Sequence, residues 1–414
     1  MAIDQIELGK RLQAARNNSG LTQEFVAKQL GIPRTAVAGI ESSERSVSTL
    51  ELSKLAKLYR RSPSELLSDG AADEDIFVVL HRLDEEFADD AKVQLEVSNH
   101  VAICREGHEL KELLGLPEED GPPEYHASEP RSALEAVEQG NAVATDERRR
   151  LSLGNNPLPD LSKLIAAQGI WAAKVELPDE MSGMFLLHQT FGSAILINEG
   201  HPLSRRRFSF SHEYAHALFD RQASASISSS RNRRDFREVR ANAFAAAFLL
   251  PAEGVHAFLR HRRKTIPSRV EQIVYDPSAH DSDEFVAGRT RNTASHTQVT
   301  YQDVASLMTY FRTSYQATCY RLRSLNLVGR DELDELLGKE EHAKAAFELL
   351  NLFDGDPSNE QNDNRFDSDV LKLQVVNLAV EAYRREEVSK GKLRDISSVL
   401  GVGASALLKL AEVA

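Results

Sequence analysis

Two histidines and a glutamate lie within five residues near the middle of the chain, in the segment His212-Glu213-Tyr214-Ala215-His216. In a helix, two imidazoles four residues apart leave the same face one turn apart and can share one metal ion. Glu213 places a carboxylate beside that ion, where it can take a proton from a metal-bound water. The segment therefore predicts a metal-dependent hydrolytic site. Three fixed positions are only moderately specific, so the neighbouring sequence has to support this prediction.

A catalytic zinc ion takes three protein ligands and keeps one position open, so a third ligand is expected downstream. In the metzincin pattern the helix breaks at a glycine three residues after the second histidine, and a third histidine follows. Phe219 and Gln222 stand at those positions here, which excludes that class. Asp220 lies one turn beyond His216, too far along the helix axis to reach the same ion.

Glu238 is a better candidate for the third ligand. It opens a second predicted helix over 235–250, and small or polar residues share its face at helical spacing: Ala241, Asn242 and Ala245. Small side chains let two helices approach closely. The carboxylate of Glu238 can then complete a site of two histidines and one glutamate.

A resemblance to the ImmA/IrrE family of metallopeptidases rests on two strings. They are Arg-Phe-Ser-Phe-Ser-His-Glu-Tyr-Ala-His at 207–216 and Glu-Val-Arg-Ala-Asn-Ala-Phe-Ala-Ala-Ala-Phe-Leu-Leu-Pro at 238–251. The resemblance covers roughly 160–340 and implies a gluzincin-like fold, with His212, His216 and Glu238 as ligands and Glu213 as catalytic base. It further implies zinc, with manganese as the alternative, and cleavage of phage-type or stress-response repressors.

Strands are predicted ahead of the metal-binding helix, at Trp171–Val175 and in a hairpin of Met184–His188 with Ser193–Asn198. The strand just before such a helix commonly forms the cleft edge in metalloproteases. An extended substrate can add to such an edge through backbone hydrogen bonds. We therefore expect the substrate beside the last of these strands.

The first 68 residues have the pattern of a helix-turn-helix domain. Thr22 is placed to cap a helix running from Gln23 to Leu30, Gly31 ends it, and Pro33 opens a third helix that runs to about Ile40. Two short helices joined by a tight glycine-containing turn place the second helix in the major groove.

A resemblance to the phage-repressor (Cro/CI, or XRE) family rests on the string Gly-Leu-Thr-Gln-Glu-Phe-Val-Ala-Lys-Gln-Leu-Gly-Ile-Pro-Arg-Thr-Ala-Val-Ala-Gly-Ile-Glu at 20–41. Ser43 stands where that family often has glycine, so the turn after the recognition helix is expected to differ. The residue types that suit base edges or phosphates on this surface are Gln23, Arg34, Thr35 and Arg45.

The net charge of −13 would by itself argue against a nucleic-acid partner, but the charge is unevenly distributed. Residues 1–68 hold 10 Lys and Arg against 7 Asp and Glu, whereas residues 69–140 hold 5 against 20. One acidic block thus supplies the surplus. We interpret it as a solvated helical face, with docking to a basic protein or mimicry of DNA as the alternative.

The 414 residues suggest several domains around a mainly α-helical fold with an α+β peptidase core and a small antiparallel sheet. The predicted parts are a helix-turn-helix domain at 1–68, an acidic helical connector at 69–159 containing a short helix from Ser132 to Gln139, the peptidase domain at 160–340, and a linker with a small helical unit at 341–414. Within the third part, 303–322 has a second helix-turn-helix-like pattern, interpreted as a packing or substrate-recognition element.

Histidines and arginines outside the motif are not predicted to be metal ligands. Six further histidines between residues 188 and 296 lack ligand spacing and are predicted on the surface: His188, His201, His256, His261, His280 and His296. An arginine cluster could steer an acidic substrate or form a solvated helix start, and these accounts stay open: Arg231, Arg233, Arg234, Arg237 and Arg240.

Together with the two resemblances, these patterns favour a cytoplasmic DNA-binding regulator, expected as a homodimer on operator DNA. The resemblances imply that its zinc-dependent endopeptidase cleaves a repressor, an antitoxin or the chain itself in a stress or phage response. Only Cys104 and Cys319 occur, which suggests a reducing compartment, and no apolar stretch is long enough to span a bilayer. The alternatives are a transcription factor whose metal domain only senses a signal, and a toxin–antitoxin component.

Overall fold

The computed structural model describes residues 4–18, 21–59, 66–67, 90–117, 121–221, 225–229, 235–262, 298–345 and 369–413. Several predictions fall wholly or largely outside these ranges. They are the acidic helices at 73–90, the polar excursion at 275–298, the Asn/Asp-rich segment at 354–369, and the positions Arg231, Arg233, Arg234, His280 and His296.

The N-terminal helices form where the sequence predicts them: α1 (Gln5–Asn18), α2 (Gln23–Leu30), α3 (Arg34–Glu41) and α4 (Thr49–Leu58). The Thr22 hydroxyl accepts the Phe25 backbone N–H at the start of α2. Gly31 ends that helix with φ of 71°, in the left-handed region that glycine adopts without a steric cost. The helices enclose a small apolar core that contains Leu12, Val26, Val37, Ile40 and Leu55.

The chain divides into two compact units. The first contains Met1–Glu118, His188–Gly192 and Leu371–Ala414, and the second contains Glu119–Leu187 and Ser193–Val370. The first unit includes the long helix α5 (Ala91–Leu113) in addition to α1–α4. The predicted boundary at 159 is replaced by one near 118, because the segment from 133 to 159 packs into the core of the second unit.

The second unit begins with helix α6 (Ala133–Arg150), which is much longer than the predicted Ser132–Gln139. Ser132, predicted as the first residue of this helix, is its N-cap, and its hydroxyl accepts the Glu135 backbone N–H. The predicted helix stops before Gly140, whereas in the structure Gly140 lies inside the helix. Because Gly140 has no side chain, a second helix can pack closely against this position.

Helix α7 (Leu161–Ala166) leads into a four-stranded sheet of β1 (Trp171–Val175), β2 (Met181–His188), β3 (Gly192–Asn198) and, after helix α8 (Leu203–Phe219), β4 (Ala225–Ser229). The strand order is β1-β3-β2-β4. β1 runs parallel to β3 from Trp171↔Ala194 to Val175↔Asn198, and β2 runs antiparallel to β4. The mainly α fold class is confirmed, but the sheet is mixed and not antiparallel.

The strand order also corrects the predicted substrate edge. The strand just before α8 is β3, which is paired on both sides by β1 and β2. Its backbone groups are used within the sheet, so an extended peptide cannot add there. Among the described strands the edges are β1 and β4.

The core of the second unit centres on α9 (Phe236–Leu249), whose residues from Glu238 to Leu249 are all buried. A helix buried all round has to use small residues wherever other helices cross it. Alanine fills five such positions between 241 and 247. α9 packs on α6 at one side and on α8 at another.

Gly140 explains the close approach of α6 and α9. A Cβ added to Gly140 would lie 2.4 Å from the backbone oxygen of Arg240 and 2.8 Å from the nitrogen of Phe244. The backbones therefore meet at a distance that only glycine permits.

Two buried arginines bind the C-terminal end of α9. The Arg148 guanidinium donates to the carbonyl oxygens of Phe248, Gly154 and Asn156, and Arg321 Nε donates to the carbonyl oxygen of Leu250 at 2.9 Å. The last carbonyls of a helix have no partner within it and form the negative end of its dipole. Both guanidinium groups therefore satisfy hydrogen bonds and stabilise α9 electrostatically.

The rest of the second unit is helical: α10 (Ala252–His261), α11 (Tyr301–Phe311), α12 (Tyr315–Ser324) and α13 (Arg330–Leu337). α11 and α12 form the second helix-turn-helix-like segment. The two arginines of α12, Arg321 and Arg323, are buried, and both donate to carbonyl oxygens. Of the two roles left open for this segment, the structure favours packing.

The C-terminal helices are α14 (Val370–Arg384), α15 (Lys390–Leu400) and α16 (Ala404–Val413), and residues 371–414 belong to the first unit. α15 contacts α5, where Lys392 binds Glu106 at 2.7 Å. Within the described part of the chain, no single helix has both the length and the apolarity of a membrane span; α9 and α10 reach them only as a pair bent by 42°.

Gly140→Ala tests the close packing of α6 on α9. In an exposed helix this change raises stability by about 1 kcal/mol, because alanine is the better helix former. Here we expect the opposite sign, a loss of about 1–3 kcal/mol in the free energy of unfolding, because the added carbon meets backbone. Urea denaturation followed by circular dichroism measures the difference.

The matched control is Gly338→Ala. Gly338 ends α13 with an ordinary φ of −65°, and an added Cβ would lie 3.5 Å from the nearest atom. This variant should be as stable as the parent chain or slightly more stable. Equal effects of the two substitutions would contradict the packing argument.

Candidate metal centre

Helix α8 presents the histidine pair from inside the protein. His212 is 5% exposed, Glu213 is fully buried and His216 is 2% exposed. The two imidazoles are one turn apart on one face, and their Nε2 atoms are 3.2 Å from each other. The predicted helical placement of the motif is therefore correct.

Glu238 comes from α9, in the first turn after the N-cap Asp235. Its carboxylate lies against both rings: Oε2 is 3.1 Å from His212 Nε2, and Oε1 is 3.4 Å from His216 Nε2. The close packing of α8 on α9 thus brings together three donor side chains that are 26 residues apart in sequence. Among the described residues, His212, His216 and Glu238 are the group whose ligand atoms lie within 4.8 Å of one another.

The spacing of these atoms fits a tetrahedral zinc ion. Zinc binds imidazole nitrogen and carboxylate oxygen at about 2.0–2.2 Å, so neighbouring donors around a tetrahedral ion are roughly 3.3 Å apart. The three separations of 3.1, 3.2 and 3.4 Å match that value. The donor set of two imidazoles and one carboxylate suits zinc, and it also accommodates manganese.

Each imidazole is fixed from behind by a hydrogen bond at its other nitrogen. His212 Nδ1 lies 3.0 Å from Asn242 Oδ1, and His216 Nδ1 lies 2.9 Å from Asp220 Oδ2. Since these oxygens accept, each Nδ1 carries a proton and each Nε2 faces the other donors. Outer partners of this kind orient metal-binding histidines and raise their basicity.

Sequence reasoning gave these two partners no role in the site. Asp220 was set aside as a ligand, and the structure agrees, since it lies on the far side of His216. Asn242 was noted only for sharing a face with Glu238. The available signal was spacing, because each partner stands four residues after a ligand, Asp220 after His216 and Asn242 after Glu238.

Electrostatics couple the ligands. Burial lowers the pKa of His216, but the carboxylates of Glu238 and Asp220 outweigh that effect and hold the pKa well above its ordinary value. Burial raises the pKa of Glu238, yet the charge of His216 and hydrogen bonds from both histidines bring it far below the usual range. The donors therefore form a buried ion pair that a divalent cation has to replace.

Glu213 lies between the metal-binding face of α8 and strand β2. A Cβ added to Gly183 would lie 3.5 Å from the Cγ atom of Glu213. Strand β2 also has a register irregularity between Met181 and Gly183. Bulges commonly occur beside active sites, where they redirect a strand. Helix and strand thus place the carboxylate next to the histidine pair.

The opposite face of α8 is fixed by Tyr214, the third residue of the motif. Its hydroxyl donates to Glu147 on α6, which is fully buried and also accepts from Tyr125 at 3.0 Å and Arg150 at 2.6 Å. This network satisfies a buried carboxylate and fixes the rotation of α8 about its axis. The sequence gave no sign of it, because Glu147 is 67 residues before Tyr214.

Two of the histidines predicted on the surface are buried instead. His188 is stacked on Phe191 with ring centroids 4.4 Å apart, and His201 Nε2 lies 3.0 Å from the carbonyl oxygen of Asp179. Both hold turns of the sheet region, which explains their burial without a ligand role. Of the described arginines in the predicted cluster, Arg237 binds Glu129 and Arg240 is buried against Asp220, so neither forms a merely solvated helix start.

In the first unit, Arg34, Thr35 and Arg45 are exposed, as a DNA-contacting role requires. The amide nitrogen of Gln23 donates to Glu41 at 2.9 Å, and Arg45 binds Glu51 at 2.7 Å. An amide nitrogen has two hydrogens, so this bond leaves the predicted phosphate contact of Gln23 possible.

The predicted difference at the turn after α3 is not seen, because Ser43 takes the left-handed backbone that glycine would adopt there. Ser43 has φ of 65°, and its hydroxyl donates to the carbonyl oxygen of Gln5 at 3.1 Å. Left-handed backbone costs a non-glycine residue about 1–2 kcal/mol, which this hydrogen bond to α1 helps to offset.

Comparison with known proteins identifies two parts of the chain. Residues 165–272 match a peptidase family model described as the IrrE N-terminal-like domain, and residues 12–66 match the helix-turn-helix family. Both resemblances drawn from the sequence are confirmed, in the predicted order. No curated protein and no solved structure gives a significant match.

Zinc affinity should rise with pH. The raised pKa of His216 means that this ring carries an extra proton near neutral pH, and a metal ion binds only the deprotonated ring. Below that pKa we expect the dissociation constant to increase up to about tenfold for each unit by which the pH falls, because binding displaces one proton. Competition with a chromophoric chelator between pH 6 and 8 measures the dependence.

Calorimetry in two buffers of different ionisation enthalpy supplies the check. The apparent binding enthalpy should differ between the buffers in proportion to the protons released. A pH-independent affinity with no proton release would contradict the coupling of His216 to Glu238.

Proposed function

We propose that the chain is a DNA-binding transcriptional regulator with a zinc-dependent endopeptidase of narrow specificity. The observation that supports the enzyme most is the set of donor atoms of His212, His216 and Glu238 at tetrahedral spacing, with Glu213 beside them. The IrrE-like match over 165–272 supports a peptidase-like domain independently of that geometry.

The proposed reaction is hydrolysis of a peptide bond. His212, His216 and Glu238 would hold a divalent cation, which would supply Lewis acidity and lower the pKa of a water molecule. Asn242 and Asp220 keep the two imidazoles oriented. Glu213 accepts the proton of the attacking water and delivers it to the leaving amine.

The substrate we propose is a repressor or an antitoxin, with the chain itself as a further possibility. A helix-turn-helix domain binds operators that commonly have two-fold symmetry, which favours a homodimer. Fusion of both activities in one polypeptide raises the local concentration of peptidase near proteins bound at the same operator. This arrangement suits removal of a repressor during a stress or phage response.

One observation favours a second candidate function. Glu213 is fully buried and His216 is only 2% exposed, so a peptide needs an opening to reach them. A transcription factor whose metal domain only senses a signal requires no such opening. The two candidates differ in whether Glu213 has a chemical role.

Glu213→Gln separates them. The amide keeps the size of the side chain but cannot act as a base, so we expect zinc binding and DNA binding to be unchanged and cleavage to fall at least about 100-fold. Candidate repressors incubated with purified protein, with and without chelator, provide the assay by mass spectrometry. Glu335→Gln, at an exposed glutamate of α13, is the matched control and should cleave normally.

Loss of cleavage in the control, or equal activity of Glu213→Gln and the parent chain, would count against the enzyme. In cells, a Glu213→Gln strain that regulates normally would favour the sensor.

The DNA-binding proposal is tested at α3. Arg34→Ala removes an exposed guanidinium from the recognition helix and should weaken binding to the operator about 5- to 150-fold, the cost of one good base contact or a phosphate contact. Fluorescence anisotropy with operator and scrambled duplexes at two salt concentrations distinguishes those contacts. Lys339→Ala removes an exposed cation of the second unit and should leave the affinities for the operator and the scrambled duplex unchanged.

A further inference from the structure

A second buried ion pair joins the two helices that supply the metal ligands. Arg240 on α9 donates to Asp220 Oδ1 at 2.6 Å, and the other carboxylate oxygen, Oδ2, lies 2.9 Å from His216 Nδ1. Arg240 is 3% exposed. The three residues form a continuous chain from the core of α9 to the back of a ligand ring.

The surroundings hold this arginine in one position. Its guanidinium lies 4.4 Å from the centroid of the Phe219 ring, in a cation–π contact. Nη1 is 3.3 Å from Gln139 Oε1 on α6. A planar guanidinium with fixed donors loses little freedom when it binds a carboxylate, so the position of Asp220 is set by a rigid group.

The positions of Arg240 and Asp220 along their helices connect the pair to the metal ligands. Asp220 follows the last residue of α8, one turn beyond His216, and Arg240 stands two residues after Glu238. The pair therefore fixes the His216 ring relative to the helix that supplies the carboxylate. The other ligand ring is held by Asn242, a neutral amide on the same helix.

Charge balance points the same way. Three carboxyl groups surround His216: those of the buried Glu213 and Glu238, and that of Asp220, whose side chain is 9% exposed. Asp220 has to be an acceptor to orient the ring, and a buried carboxylate without a counter-charge is costly. Arg240 supplies that charge on the side away from the ligand atoms.

We propose that Arg240 is a positioning residue of the metal centre, acting through Asp220 on His216 without touching the ion. This inference rests on the proposed function for the identity of the ligands, but it concerns metal affinity and ligand geometry and not peptide hydrolysis. Replacing outer partners of metal ligands typically weakens affinity 10- to 100-fold.

The test is a double-mutant cycle on zinc affinity with Arg240→Met, Asp220→Asn and both together, measured by chelator competition in the full-length protein. Methionine can still pack against the Phe219 ring, but it removes the charge. We expect each single variant to weaken zinc binding 10- to 100-fold, and the double variant to bind no more weakly than the weaker single variant. Additive losses would overturn the proposal, because they would mean that the residues act separately.

Cobalt substitution supplies a readout that a merely structural ion pair would not change. The visible ligand-field spectrum of the cobalt form reports the geometry at the ion and should shift in both single variants. Arg149→Met is the matched control, since Arg149 lies on α6 and pairs with Asp146 at an exposed site. It should leave the spectrum unchanged and the affinity within about threefold, below the range typical of outer partners.

Arg240→Lys keeps the proposal testable if Arg240→Met does not fold. Lysine retains the charge but not the planar fork, so its affinity should fall between those of the parent chain and Asp220→Asn. Affinity and spectrum unchanged in Arg240→Lys and Asp220→Asn would overturn the proposal. If the unmodified chain itself does not bind zinc, the proposed function fails first; if it binds zinc and these variants match it, only the role of Arg240 fails.

Discussion

The contact between α8 and α9 is the constraint on which the rest of the second unit depends. It brings a glutamate from one helix within 3.1 and 3.4 Å of two histidines on the other, inside the protein. Buried polar groups this close are unfavourable unless each has a partner. The neighbouring structure can therefore be understood as the means by which this cluster is satisfied and kept in register.

Three kinds of support converge on that contact. Alanines along α9, together with Gly140 on α6, allow helix backbones to approach closely. Arg148 and Arg321 satisfy the carbonyl end of α9, while Tyr214 and its partners fix the rotation of α8. Because these groups come from α6 and α12, the packing of the second unit involves residues on both sides of the matched family segment.

The sequence was sufficient for the parts of the site that follow from local periodicity. His212, Glu213, His216 and Glu238 were predicted because helical spacing places them on defined faces, and capping by Thr22 fixed the start of α2. The features that the sequence did not reveal depend on contacts between segments that are far apart along the chain. The predicted helix stopped at Gln139, because the packing role of Gly140 depends on α9. The substrate was placed beside β3, because strand order is not encoded within the strand itself.

The central claim is that one ion binds His212, His216 and Glu238 together. Zinc K-edge X-ray absorption of the metal-loaded protein tests it most directly. The account predicts one equivalent of zinc with nitrogen and oxygen neighbours at about 2.0–2.2 Å and the multiple scattering of two imidazoles, reduced to one imidazole in His212→Ala. Sulfur at about 2.3 Å, or a spectrum unchanged in His212→Ala, would contradict it.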